Sequence, residues 1–555
     1  MKKFLTVVFS TAAIVLGGLS SVHAATIPDE QWNLPMNAPD QEGAELIGLK
    51  IANGAAALDS PSYLFGDQND SGNKDNFLLC SNLADSGCAS AASLNYLAYL
   101  PPCDSQIIIN CITGVSAIST DGKETNGTYV RGFPAKGAND FPGDLSRNLP
   151  TGSTPSVWSI PGVTHGGGTD TYVLRFAVQG SAKAGKSFQS NSIKAAIYPM
   201  TTQTGNYTTG HMNDAKNPSE ACVKDHYRCG FGGEHSGNDV SLSAACVAFE
   251  TGSCALRQAF PAGYSFKVSA LLGDSPTGWF HGRFYDPHIE LDGTNGVTKL
   301  SIEATPVKVP AVGTFVKQSN MTPEMKAYYE KRPVGGAFGR LSPNGISNLI
   351  SSPDPSDPNV FEEFSVWSSL FKDKASATQS EWSFRTLELN NGTSSCLRDT
   401  KSLVGIVSTN AMIYSGGAPA FNKNEGSLDY KVGSPHYSSN DEVFKGTYDL
   451  QVKSSVARCL YNFSSAPIKA TISITSETGA ENVATTVVSE DKTTGWLRMS
   501  AYNFTFSNPT VKVKFSQDAP APSPSKPAFK KLTCVKGKVS RVVTSSTCPT
   551  GYKKK

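Results

Sequence analysis

Beyond residue 24 the chain has no apolar run approaching the roughly 20 residues that a membrane-crossing helix needs. It also has no C-x-x-C pair, although it holds 12 cysteines, and zinc sites usually bring cysteines two to four residues apart. Missing as well are a G-x-S-x-G elbow, an H-E-x-x-H helix, a P-loop and a Rossmann fingerprint. No regular repeat runs along the chain, so solenoids and propellers are set aside. The body lacks the clustered basic face that nucleic acid demands. These absences assign no catalytic residue, metal or cofactor, and they favour a binding or structural role over an enzymatic one.

The first residues run from Lys2 and Lys3 through the apolar stretch Phe4 to Leu19 into Val22-His23-Ala24. This is the pattern of an export signal, residues 1–24, cleaved after Ala24, with no nearby cysteine to take a lipid. The cysteines fit the same compartment, because disulfides persist outside a reducing cytosol. Their spacing predicts six bridges: Cys80–Cys88, Cys103–Cys111, Cys222–Cys229, Cys246–Cys254, Cys396–Cys459 and Cys534–Cys548. Five of these close short loops, whereas Cys396 and Cys459 are 63 residues apart.

Charge is segregated. The whole chain carries +2, and both leader lysines leave with the signal. Residues 529–555 hold seven lysines and Arg541 with no acid, a charge of +8, which leaves residues 25–528 at −8. An acidic body with a basic tail points to an anionic surface as the partner of the tail.

Fifty glycines and thirty-three prolines cut the chain into short runs. In those runs β-branched and aromatic residues recur at alternate positions, as in YVLRFAVQ (172–179), YSFKVSALL (264–272) and KATISITS (469–476). ATTVVSE, WLRMSAYNFTF and VKVKF follow the same pattern. The expectation is a mainly β, multi-domain protein of Ig-like or jelly-roll-like sandwiches. Residues 25–315 form one β-rich region of one or two sandwiches, and residues 391–517 form a second. Between them, 316–390 is a helix-containing connector. One helix opens at Thr322 with Pro323 and Glu324 in its first turn. Another starts near Asp357 and carries Phe361, Phe364, Trp367, Leu370 and Phe371 at helical spacing, a stripe suited to packing on a sheet. Residues 518–528 are a proline-rich linker, and 529–555 a basic hairpin closed by Cys534 and Cys548.

The ending TCVKGKVSRVVTSSTCPTGYKKK resembles the short basic, two-cysteine tails of exported proteins of Gram-positive actinobacteria. Val456–Phe515, and the pair CGFGGEHSGNDVS with PTGWFHGRFYDP, are similar to segments of large exported proteins of that group. The resemblance covers about a third of the chain. It implies a secreted or surface location and transfers no activity and no functional residue.

Three features bear on chemistry. THGGGTD (164–170) has the string of a lipase oxyanion loop but no nucleophile elbow downstream, so it reads as a turn before the strand at Tyr172. Six of the eight histidines, His165, His211, His226, His235, His281 and His288, fall between 165 and 288, at spacings that chelate nothing on one strand or helix. Asp225, Glu234 and Asp286 are the candidate acids if hydrolysis were involved. Finally, within TGWFHGRFYDPHIELD (277–292), Trp279 to Asp286 reads as a strand whose phenylalanines face a core. Trp279, His281, Arg283 and Tyr285 share the other side. That row suits a cation–π ladder with Arg283 between Trp279 and Tyr285, or a sugar- or polyanion-binding face.

The sequence therefore predicts an exported, envelope-associated structural or binding protein held by its tail to anionic polymers or glycans. The alternative is a carbohydrate-binding or carbohydrate-active protein with its site in residues 222–288.

Overall fold

The computed structural model describes residues 46–52, 61–72, 76–204, 246–294, 296–331, 349–387, 395–398, 402–464, 468–475, 481–482, 485–506, 510–517 and 531–555. The expected leader, the Cys222–Cys229 bridge and the 518–528 linker lie outside these residues.

Alternation in the sequence translates directly into strands. The six runs singled out above become Thr171–Lys183, Tyr264–Leu272, Ile468–Thr475, Thr485–Asp491, Trp496–Thr505 and Thr510–Gln517. The protein is mainly β, with a few short helices. In Thr171–Lys183, Leu174, Phe176 and Val178 enter the main core, while Val173 and Ala177 enter smaller clusters on the opposite face. A strand buried on both faces carries apolar residues at consecutive positions, which explains why its alternation is incomplete.

The largest sheet has 15 strands and does not stop at the boundary between the two β-rich regions. Thr171–Lys183 pairs with Gln189–Thr204, which pairs with Ser383–Leu387. Ser383–Leu387 pairs antiparallel with Gly278–Arg283, which in turn runs parallel to Leu403–Thr409. From there the sheet continues through Lys445–Lys453 to Trp496–Thr505. The region expected as a helical connector thus supplies a central strand, and strands from both halves share one hydrogen-bonded ladder.

Two smaller sheets cover this one. A five-stranded sheet containing Tyr264–Leu272 and Val297–Thr305 encloses the first core with Phe280, Phe284 and Trp382. A six-stranded sheet containing Ser427–Gly433 and Thr510–Gln517 encloses a second core with Trp279, Tyr448 and Leu450. Neighbours on a strand point to opposite faces, so Trp279 and Phe280 place the two cores on opposite sides of Gly278–Arg283.

The two expected helices sit beside a third, four-stranded sheet. Pro323–Lys331 is capped by Thr322, whose Oγ1 accepts from the Met325 N–H at 3.2 Å. The aromatic stripe packs as expected: Phe364, Trp367 and Phe371 are buried against Ile47, Leu49 and Val312. Its helix is shorter than the spacing predicts, spanning Val360–Trp367 only. Turns follow Trp367, and Lys372 and Asp373 take left-handed φ angles of 52° and 51° that no helix continues through.

Five of the six predicted disulfides lie among the described residues and all five form. Cys246–Cys254 closes the hairpin of Cys246–Glu250 and Ser253–Arg257. Cys396–Cys459 joins the turn Ser395–Leu397 to the helix Ser454–Tyr461.

Candidate functional site

The strand Gly278–Arg283 is buried along its whole length, so the row Trp279, His281 and Arg283 is internal. The Trp279 indole N–H donates to the Leu397 carbonyl at 3.0 Å. Arg283 donates to the Thr409, Ala411 and Met412 carbonyls at 3.1, 2.5 and 3.2 Å. Its guanidinium lies 4.4 Å from the centre of the Tyr414 ring, and the His281 imidazole stacks on the same ring at 3.7 Å. Arg283 therefore does make a cation–π contact, but with Tyr414 instead of Trp279 and Tyr285. The strand ends at Arg283, and Tyr285 opens the next one, Tyr285–Thr294, in the five-stranded sheet. There Tyr285 is partly exposed and meets Tyr502 edge-on at 6.0 Å. With three of its four members 3 % exposed or less, the row offers no external binding face. Burial holds the His281 imidazole well below its ordinary value, helped by the Arg283 and Arg385 charges, so it is neutral.

Tyr414 is the link between this buried row and a cleft of about 1090 Å³. Its ring rests on His281 and Arg283, and its hydroxyl accepts from Arg385 at 2.9 Å. Arg385 also donates to Ser356 Oγ at 2.7 Å and reaches Asp354 at 3.4 Å. All three contacts use Nη2. On the neighbouring strand Lys194 lies directly opposite Arg385. Lys431, whose ammonium sits 4.5 Å from the Phe361 ring centre, adds a third cation to the cleft, and Asp354, Asp357 and Asp429 line it as well. Gly416 lets the loop after Tyr414 close on the 354–358 segment, since a Cβ there would lie 2.5 Å from the Ser356 carbonyl.

The other expected residues are scattered. His165 is buried with its Nδ1 accepting from Gly167 N–H at 3.0 Å, and burial pushes it down to about 4. THGGGTD is a tight turn in which Gly168 donates to the His165 carbonyl at 2.9 Å. His288 is exposed, its ring 3.1 Å from the Asp286 carbonyl. His211, His226, His235, Asp225 and Glu234 lie outside the described residues. Among the described residues no group of three or more His, Cys, Asp or Glu side chains could hold a metal ion.

Asp449 escaped the sequence reading. It is buried at the junction, accepting from Ser500 and Tyr502 hydroxyls at 2.6 Å each and from the Asp286 N–H at 3.3 Å. Burial pushes its carboxyl up to about 6, against the lowering effect of those donors. A lone aspartate in an alternating strand, KGTYDLQVK, carries no signal of this in the sequence.

The C-terminal module is a three-stranded antiparallel sheet of Leu532–Lys536, Val539–Val543 and Lys553–Lys554. A two-residue turn, Gly537-Lys538, joins the first pair, and Gly537 takes the positive φ of 60° that such a turn requires. Cys534 is fully buried and bonded to Cys548. Lys536, Lys538, Arg541 and the three terminal lysines are exposed, and so are Val539 and Val542, at 60 % and 59 %.

Set against known proteins, the chain matches no protein family, no curated protein and no solved structure at a significant level. Among the described residues no helix is long and apolar enough to cross a membrane.

Proposed function

We propose that this is an exported, envelope-associated binding or structural protein, non-enzymatic, whose basic C-terminal module holds it at an anionic polymer surface. The observation that carries the reading is the module itself. It folds around its own disulfide, exposes seven cationic side chains between 531 and 555 with no acid among them, and follows a proline-rich stretch of sequence, residues 518–528. Exposed valines on the same hairpin add apolar contact beside the charges. The leader-like N-terminus and the disulfides agree with an oxidising, extracytoplasmic location. In this reading the face-to-face sheets of the body are sandwiches of the Ig-like or jelly-roll-like kind, and the tail resembles those of exported actinobacterial surface proteins.

Attraction of this type is long-ranged and screened by salt, with a Debye length of ~10 Å at 0.1 M and ~3 Å at 1 M. The test is co-sedimentation with a phosphate-rich wall polymer, comparing the wild type with a Lys536→Ala/Lys538→Ala/Arg541→Ala variant. The wild type should bind at 0.05 M salt and be released by 0.5 M, and the variant should bind several-fold more weakly. Equal binding by the two proteins would contradict the proposal.

A further inference from the structure

The C-terminal module leaves one side of its sheet open. Its strands run in the order Val539–Val543, Leu532–Lys536, Lys553–Lys554, so among the described residues Val539–Val543 is an edge strand paired on one side only. The two-residue turn makes Lys536 and Val539 the first hydrogen-bonded pair and Cys534 and Arg541 the next. Thr533 and Val542 then form a non-bonded pair, and the Thr533 carbonyl accordingly turns to the far side, accepting from the Lys555 N–H at 2.9 Å. The N–H and C=O groups of Ser540 and Val542 therefore point off the sheet. They are two donors and two acceptors in the alternation that a further strand would meet.

Proline, a bulge or a covering element blunts many exposed edges. Val539–Val543 contains no proline and pairs without a register shift, and Val539, Ser540, Arg541 and Val542 are all exposed. Alternation sorts the side chains about this edge. Arg541 shares one face with Lys536, and Val542 shares the other with Val535.

Charge narrows the occupant. Residues 529–555 carry +8 with no acid, so the complementary partner brings carboxylates. A second copy of the module fails on this count: it adds another +8 and, in the symmetric antiparallel register, sets Arg541 against Arg541. A phosphate polymer answers the charges, but only another backbone supplies donors and acceptors in the alternation that the edge presents.

We propose that Val539–Val543 binds an extended, acidic segment of a partner protein by strand addition, with acidic side chains on the Arg541 face and β-branched ones on the Val542 face. This goes beyond attraction to a polymer, which needs the charges alone.

The experiment is fluorescence-anisotropy titration of the full mature chain, at 0.15 M salt, with two labelled octapeptides. One alternates glutamate and valine. The other alternates glutamate and proline, which keeps the charge but removes every second donor and disrupts strand pairing. The first should bind at least tenfold more tightly than the second. Ser540→Pro removes one outward donor at an edge position where proline is tolerated, and leaves every charge and valine in place. It should weaken binding of the glutamate-valine peptide at least tenfold, with the Cys534–Cys548 bridge intact by thiol titration and co-sedimentation with the phosphate-rich polymer unchanged. Ser540→Ala should bind the peptide as the wild type does. Equal binding of the two peptides by the wild type would overturn the assignment whatever the variants do. So would no binding of either, or an undiminished affinity in Ser540→Pro. The anchoring reading fails separately, if the wild type does not sediment with the polymer.

Discussion

Arg283 shows how much one side chain can organise. It is buried and donates to three backbone carbonyls, those of Thr409 at the end of the strand Leu403–Thr409 and of Ala411 and Met412 just after it. Arg283→Met should therefore cost about 3–5 kcal/mol in urea denaturation, because it strands buried acceptors, whereas Tyr285→Ala should cost less than about 1.5 kcal/mol. Equal losses would show that the row is a surface feature after all. Asp449 makes a different prediction. Its folded pKa of about 6 lies above its unfolded value near 3.8, so its contribution to stability is complete below pH 4 and disappears as pH rises through 6. The stability of the wild type minus that of Asp449→Asn should fall by roughly 3 kcal/mol between pH 4 and pH 7.5, two pH units at about 1.4 kcal/mol each. A difference that stays flat with pH would remove the assignment. The sequence made part of this legible. Alternation placed Trp279, His281 and Arg283 on one face and Phe280 and Phe284 on the other. It could not say that the polar face was inside, because the carbonyls that take Arg283 lie 126 to 129 residues further along the chain.

Elements were read best where the pattern is local. Strands with β-branched alternation, the Thr322 cap, the basic C-terminal hairpin and the short disulfides all depend on residues close together along the chain. The Val360–Trp367 helix came out shorter than its stripe because helical spacing marks which residues are buried together, and Phe371 joins that core from a turn. Cys396–Cys459 is the exception to locality. Its 63-residue loop gives it the greatest entropic weight of the described bridges, about 4 kcal/mol by the chain-entropy account, against about 2–3 for the eight-residue loops. It also anchors the turn whose Leu397 carbonyl receives the Trp279 indole. Replacing both cysteines with serine should lower the unfolding temperature more than removing Cys80–Cys88, and should shift tryptophan fluorescence as Trp279 loses its partner. A smaller effect than that of Cys80–Cys88 would show that the loop is already constrained without the bridge.

At the scale of the molecule, the halves that looked separable in sequence share a sheet. Ser383–Leu387, from the helix-containing stretch, lies between Gln189–Thr204 and Gly278–Arg283, and the second β-rich region continues the ladder at Leu403–Thr409. Pairing between distant strands is invisible to local periodicity, which is why composition and punctuation suggested a boundary there. Residues 25–390 expressed alone should consequently expose the edge of Gly278–Arg283 and one whole core face, and aggregate. A soluble, cooperatively unfolding fragment would contradict the shared sheet. The basic module stands apart from this body in charge and in its own disulfide, and the account of function rests on that division of labour.

The most direct measurement is fractionation of the producing cells, comparing the full chain with one ending at Ala528, each washed in increasing salt. Retention of the full chain at low salt, its release as salt rises, and immediate loss of the shortened chain to the medium are the predicted results. Retention of the shortened chain at the level of the full one would show that the tail is not what holds the protein.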